Sequence, residues 1–266
     1  MSKIGFIGTG NMGGALARAV SKSGHDIYLS DFLKEKAEAL AEELENACAT
    51  DNAAIVASCD MIFLGVKPQM LPALADELAS GLAARQKPVC LVSMAAGVSL
   101  ERLGELFGKN TPILRIMPNT PVAIGAGMIL WCDNGLASEG DKRLLEAALR
   151  FAGKLDAIPE RLIDAASALS GCGPAFVCLF IEALADGGVR CGLPRDKALL
   201  YAIETAKGTA ALIAESGKHP GQLKDEVCSP AGSTIEGVTA LENGGFRALA
   251  IDAVTTAYER TKELGK

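Results

Sequence analysis

A short apolar strand that runs straight into a glycine turn constrains this chain more than any other feature. Ile4 to Ile7 leads into Gly8-x-Gly10-x-x-Gly13, and an alanine-rich helical segment follows from Gly14 to about Lys22. Each glycine has its own mechanical job. Gly8 permits a tight turn, Gly10 has no Cβ and lets a ligand reach the backbone, and Gly13 lets the helix lie close against the strand. The helix N-terminus offers free N–H groups and the positive end of its dipole, a natural seat for phosphates. A second strand, Asp26 to Leu29, ends at Ser30-Asp31. That acid follows the glycines at the distance, about 20 residues, where a ribose-binding carboxylate belongs. Glycines alone would also suit an ordinary βα turn; strand, helix and acid together point to a dinucleotide.

The first half goes on alternating. The pattern predicts a charged helix over 33–45, a buried strand over 61–66, a helix over 70–82 and a strand over 88–93. Further strands are predicted over 113–117, 128–131 and 155–158, with a helix over 141–152. Strands with little alternation, separated by helices, imply a mostly parallel, doubly wound sheet covered on both faces, a Rossmann-type α/β domain. Such sheets bind ligands at the carboxyl ends of their strands. Here those ends carry Gly8-Thr9-Gly10, Ser30-Asp31, Val66-Lys67-Pro68, Met94-Ala95-Ala96 and Met117-Pro118-Asn119, with Pro68 and Pro118 expected to stop their strands sharply. Small residues at Ala95, Ala96 and Gly97 leave room for a planar ring.

The character changes at Pro159, which places a dinucleotide-binding domain over 1–159 and an all-helical domain over 160–266. Pro174 and Pro194 sit at first helical positions, and Ala175 to Ala185 is apolar almost all round, interrupted by Glu182. About 105 residues make a small self-contained core, so a homodimer joined through this half is expected.

Composition excludes other classes. With 26 Lys+Arg against 32 Asp+Glu, the net charge is −6 and no basic patch stands out, so nucleic acid is not an expected partner. Apolar runs are interrupted before reaching the roughly 18 residues of a membrane span, so no membrane partner is expected. The N-terminus lacks a basic region before a cleavable apolar run, so no secretory signal is expected. None of the eight cysteines forms a CxxC pair, and most sit among apolar neighbours. They suit small buried side chains in a reducing cytoplasm. With only His25 and His219, a metal site or a catalytic triad is hard to build, and no metal is expected.

Two segments of the helical half look built for a small ligand. In Leu169-Ser170-Gly171-Cys172-Gly173-Pro174, glycines precede a helix that Pro174 opens. This is either a helix-entry loop with Ser170 as a local cap or a surface where a substrate ring lies against backbone. In Ser229-Pro230-Ala231-Gly232-Ser233-Thr234-Ile235, a proline turn leads into another helix. Its N–H groups and hydroxyls either cap that helix, through Thr234, or form a carboxylate nest.

With Ile4-Gly-Phe-Ile-Gly-Thr-Gly-Asn-Met12, Val66-Lys-Pro-Gln69, Arg115-Ile-Met-Pro-Asn-Thr-Pro121, Glu182-Ala-Leu-Ala-Asp-Gly-Gly-Val189 and His219-Pro-Gly-Gln-Leu-Lys-Asp225, the chain resembles the Δ1-pyrroline-5-carboxylate reductases from end to end. The resemblance implies reduction of pyrroline-5-carboxylate to L-proline with NADPH or NADH, the last step of proline synthesis. It implies a Rossmann domain followed by a helical dimerisation domain, often assembled as a decamer of five dimers. By analogy the site lies between the nicotinamide and the Ser229–Thr234 loop, closed by the partner's helices. Ser233 and Thr234 would be catalytic; Glu160, Ser170, Gly171, Cys172, Gly173 and Gly232 would complete the substrate site. Ile7, Gly8, Thr9, Gly10, Asn11, Met12, Gly13, Ser30, Asp31, Asn52, Val66, Lys67, Pro68, Met94, Ala95, Ala96 and Asn119 would hold the cofactor.

Some positions depart from the family pattern. Cys172 stands where Ser is frequent, Ala231 where Gly is commoner, and Ser233 where Thr or Ala is usual. Asp31 favours a free ribose 2′-OH, whereas Ser30, Lys34 and Lys36 suit a 2′-phosphate, so the cofactor preference stays open. One rival is a β-hydroxyacid or 6-phosphogluconate-type dehydrogenase, which needs a lysine on the helix opened by Pro174, where this chain has none. The other is a non-catalytic NAD(P)-binding regulator, which would not need the two small-residue loops.

Overall fold

Among residues 1–264, which the computed structural model describes, eight strands form one sheet. They are β1 (Lys3–Ile7), β2 (Asp26–Ser30), β3 (Ala47–Ala49), β4 (Met61–Leu64), β5 (Cys90–Ser93), β6 (Ile113–Pro118), β7 (Gly127–Asp133) and β8 (Gly153–Ala157). Their order is β3-β2-β1-β4-β5-β6-β7-β8. Pairing is parallel from β3 through β6, and the order of these six strands is that of a doubly wound dinucleotide-binding sheet. β4, β5 and β6 are buried along their whole length, as runs that are apolar except for Ser93 and Arg115 require.

Helices α1 (Asn11–Ser21), α2 (Lys34–Glu43), α3 (Asn52–Ser58), α4 (Leu71–Ala84), α5 (Leu100–Phe107), α6 (Glu139–Leu149) and α7 (Glu160–Ser170) cover the two faces. One layer of core holds Phe6 stacked on Phe63 at 4.6 Å between ring centres, with Leu16, Val20 and Leu114. The other holds Ile55, Ile62, Leu64, Leu91, Leu103 and Ile163.

Three features differ from the expectation. β6 and β7 run antiparallel, because the link 119–126 is too short for a crossover. It is filled by a 3₁₀ turn, Thr120–Ile124, and by Gly125 at φ 75°, which reverses the chain. Pro118 ends β6 as expected, as its last residue, paired with Ile129. Pro68 does not stop its strand, since β4 already ends at Leu64; it opens the 3₁₀ turn Pro68–Met70 instead. α1 begins at Asn11 rather than Gly14, so the last glycine of the turn lies inside the helix.

Among the described residues the chain packs as two compact units, Met1–Gly171 together with 258–264, and Cys172–Ala257. α7, which composition assigns to the helical half at Glu160, therefore packs with the sheet. Its Ile163 is fully buried in the sheet core. The second unit contains α8 (Gly173–Arg190), α9 (Arg195–Ser216), α10 (Pro220–Val227), α11 (Ser233–Asn243) and the first part of α12 (Phe246–Leu264). Its core is slight: Ala185, Ala198 and Ala202 between α8 and α9, flanked by Ile181 and Val189. Leu179, Leu249 and Ile251 are exposed. The run Glu160–Arg190 is long and apolar enough, by length and composition, to qualify as a membrane span, contrary to the expectation that no segment would. The structure divides it into α7 and α8 at Gly171–Cys172.

Candidate active site

Because β1, β2, β4, β5 and β6 are parallel, the segments that follow them share one edge of the sheet. The glycine turn sits at the β1–β4 switch point. Gly8 has φ 98° and its N–H donates to Ser30 O at 2.8 Å. A Cβ on Gly13 would strike the Gly8 carbonyl oxygen, and one on Gly8 would lie 2.7 Å from the Gly65 carbonyl carbon. A Cβ on Gly65 would strike the same Gly8 oxygen. Three backbones thus cross where no side chain fits. Gly65 escapes a motif search centred on the first turn, although its signal, a glycine closing the apolar strand Met61–Leu64, is present in the sequence. Gly10 is the reverse case, since a Cβ there would meet nothing within 4 Å. It is also the N-cap of α1, and no side chain caps that helix. An open face and uncapped N–H groups fit a bound pyrophosphate.

Asp31 closes the turn from the side. Its Oδ2 accepts from Thr9 N at 2.7 Å and Thr9 Oγ1 at 3.0 Å, and its Oδ1 accepts from Leu33 N at 3.0 Å. Burial pushes its carboxyl pKa up, but these donors and the nearby Lys36 outweigh it, and the net shift is downward. Asp31 is therefore a carboxylate that braces the turn. Asn52 opens α3 behind the Asp51 cap. Its Nδ2 donates to Glu77 at 2.8 Å, while its buried Oδ1 has no hydrogen-bond partner among the described residues.

Along the same edge, Val66 and Lys67 follow β4, and Met94 to Ala96 follow β5, where Ser93 Oγ accepts from Ala95 N. Asn119, just beyond β6, spends both halves of its amide on protein. Oδ1 accepts from Met128 N at 2.8 Å and Nδ2 donates to Ser170 O at 2.9 Å. Glu160 is similarly engaged: its Oε1 accepts from Leu100 N at 2.6 Å, at the start of α5, and from Arg115 Nη1 at 3.0 Å. Arg115, only 4% exposed in its side chain, also reaches Asp164 at 3.1 Å. The sequence gives Arg115 no role of its own, because no spacing rule links residue 115 to residues 160 and 164. Ser170 Oγ donates to Ala166 O within its own helix, so it does not cap α8.

In the second unit, Gly173 opens α8 behind Cys172, whose side chain makes no capping bond. α11 begins at Ser233 with Gly232 as N-cap, again uncapped by any side chain. Thr234 is thus not the cap; it is the second residue of the helix, and the first-turn N–H groups have no side-chain acceptor. Gly232 N donates to Ser229 O at 3.0 Å, which folds the preceding turn. Ala231 occupies the left-handed region, φ 55°, which explains why glycine is the commoner residue there. That conformation costs an L-residue about 1–2 kcal/mol, and a glycine recovers it less about 0.4–1 kcal/mol of unfolded-chain entropy. Ala231→Gly should therefore raise Tm by up to about 6 °C at matched protein concentration. A lower melting temperature would show that Ala231 carries no strain.

Among the described residues no group of three His, Cys, Asp or Glu side chains could hold a metal ion. Burial pushes the thiols of Cys59 up to about 11 and Cys132 to about 12, which makes them poor nucleophiles. His25 Nδ1 accepts from Ser2 N, and His219 Nδ1 accepts from Gly221 N as the cap of α10.

Comparison with known proteins gives a consistent result. The family model described as pyrroline-5-carboxylate reductase dimerisation matches residues 160–264, and one described as NADP oxidoreductase coenzyme F420-dependent matches residues 3–97. The chain is 40% identical over 265 residues to pyrroline-5-carboxylate reductase of Glycine max, covering 98% of this chain and 95% of that one. It is 38% identical to the Escherichia coli (strain K12) enzyme of the same name, covering 99% and 98%. Among solved structures, a pyrroline-5-carboxylate reductase from Coxiella burnetii superposes with a TM-score of 0.92 at 32% identity, covering 100% and 99%. The Plasmodium falciparum pyrroline carboxylate reductase with NADP bound superposes with a TM-score of 0.87 at 31% identity, covering 100% and 98%.

Proposed function

The chain belongs to the pyrroline-5-carboxylate reductase family, and from that premise we propose how its residues divide the work of reducing pyrroline-5-carboxylate to L-proline with NAD(P)H. The substrate is a cyclic imine, most reactive when its nitrogen is protonated. The protein need only align two planar groups, hold a carboxylate and tolerate a positive nitrogen, so neither a histidine nor a metal has a required role. A reduced nicotinamide, when bound, supplies the hydride.

The turn Gly8–Gly13 and the uncapped start of α1 hold the pyrophosphate. Asp31 and Asn52 face the adenosine end, and the small Ala95 and Ala96 leave space for the nicotinamide. Ser233 and Thr234 bind the substrate carboxylate through their N–H groups, and the Thr234 hydroxyl faces the ring nitrogen. The observation that carries these substrate roles is the uncapped first turn of α11, whose donors no side chain satisfies. Ser170, Gly171, Cys172 and Gly173 give the ring a close backbone surface. Glu160 serves through its bond to Arg115 rather than by touching substrate. α8 carries no lysine from Gly173 to Arg190, so the lysine-dependent dehydrogenase reading lacks its essential group.

The slight core and exposed leucines of the second unit support a homodimer through α8 to α12, and by family likeness a decamer of such dimers. This also accounts for the apolar run on α8 without a membrane. Eight unpaired thiols suit the cytoplasm.

We further propose that NADH is preferred. A carboxylate held ionised at the end of β2 welcomes a 2′-hydroxyl and repels a 2′-phosphate. Purified protein, given pyrroline-5-carboxylate and either cofactor, should consume NADH with the higher kcat/KM, followed by loss of nicotinamide absorbance. Asp31→Asn should move the NADH:NADPH ratio toward NADPH by about tenfold, the value of one charge contact. An unmoved ratio separates Asp31 from cofactor choice, and no imine-dependent oxidation of either cofactor overturns the function.

A further inference from the structure

One strand grips α7 at both ends. Arg115 of β6 pairs with Glu160, the first residue of α7, and with Asp164 one turn on. Asn119, just past the end of β6, donates to the carbonyl of Ser170, the last residue of α7. The spans match: four residues of strand extend about 13 Å, and the ten steps from Glu160 to Ser170 rise about 15 Å. The grip costs something at its deep end, since Arg115 Nε is buried with no partner among the described residues. Buried ion pairs of this kind are weak contributors to net stability, and their best-attested use is to fix one arrangement. The orientation of the Asn119 amide is determined from both sides, because Met128 N–H needs an acceptor and Ser170 C=O needs a donor.

We propose that Asn119 is a positioning residue for the reduction: by donating to Ser170 O it fixes where the Ser170–Gly173 segment leaves the sheet unit, and through that segment it acts on the substrate. Asn119 is then no cofactor ligand, although it lies at the cofactor edge. The proposal rests on the reading of Ser170–Gly173 as the substrate's backbone surface. Loss of one such bond is worth about tenfold in apparent substrate affinity.

Asn119→Asp tests it, since it keeps the acceptor for Met128 N and turns the donor into a carboxylate facing a carbonyl. With wild-type protein first shown to reduce pyrroline-5-carboxylate, the variant at neutral pH should raise the substrate KM about tenfold. Its Kd for NADH, read by nicotinamide fluorescence, should stay within about threefold, less than one lost hydrogen bond. Lowering the pH protonates the introduced carboxylate, restores an O–H donor to Ser170, and should bring the variant's kcat/KM back toward wild type, a recovery that a merely structural role would not give. A KM within threefold of wild type, a ratio to wild type that ignores pH, or a loss of NADH affinity that matches the KM increase each overturns the proposal. If Asn119→Asp does not fold, Asn119→Ser, which is too short to reach Ser170, decides by the same comparison of KM with Kd. An inactive wild-type protein would instead overturn the functional reading beneath.

Discussion

Gly13→Ala should cost the protein both stability and its cofactor, with Kd for NADH raised about a hundredfold or more, the loss expected from displacing a binding element by roughly 1 Å. The reason is where the new methyl would go. It would clash with the Gly8 carbonyl oxygen and crowd the Gly8 carbonyl carbon at 3.2 Å. Neither obstacle is the end of a flexible side chain, so α1 must move off β1. Such overpacking typically costs about 1–3 kcal/mol. Gly10→Ala is the matched control, because its methyl meets no protein atom within 4 Å. It should melt like wild type, within the few tenths of a kcal/mol typical of an open surface site, and still bind NADH poorly, since the methyl occupies ligand space. Thermal melts and fluorescence titrations of the two variants separate the roles. Wild-type affinity in Gly13→Ala would remove the glycine crossing from the account of cofactor binding.

These contrasts show what can be read from the chain alone. Gly8, Gly10 and Gly13 announce themselves because one short segment contains the strand, the turn and the helix start, and the chemistry is local. Gly65 completes the same crossing from another strand, and only the parallel register of β1 and β4 brings it to Gly8. The long apolar strands are legible because burial on both faces forbids polar alternation. β3 and α3 are not, since three and seven residues carry too little periodicity, while α5 does show the helical spacing Leu100, Leu103, Phe107 but over only eight residues. Their caps are nevertheless present: Asp51 accepts from Ala54 N and Ser99 from Arg102 N. The antiparallel turn into β7 depends on the length of a link, which the apolar pattern does not encode. Asn119 and Glu160 read as ligand-facing residues in the sequence, and the structure also gives each of them bonds to protein. Such partners lie 51 and 45 residues away, at Ser170 and Arg115, beyond any sequence window.

Thr234→Ala should lower kcat/KM for pyrroline-5-carboxylate about a hundredfold, the usual value of one positioned proton donor or oriented hydrogen bond. Its Kd for NADH should be unchanged. The structure makes this a clean test. Thr234 is not the cap of α11, since Gly232 holds that position without a side-chain bond. Alanine is a better helix former than threonine, by up to about 0.7 kcal/mol, so the helix has no reason to fray and lost activity cannot be charged to lost structure. Two companions divide the hydroxyl from the backbone. Thr234→Ser keeps the hydroxyl and should stay within about tenfold of wild type, since only packing of one methyl changes. Ser233→Ala keeps every backbone N–H and should leave carboxylate binding nearly intact, seen as a substrate KM within about threefold. If Thr234→Ala turned over like wild type while Ser233→Ala did not, the proton-facing role would pass to Ser233. If neither variant lost activity, the first turn of α11 would hold the carboxylate by its N–H groups alone, and the imine would have to receive its proton from water before it reached the protein.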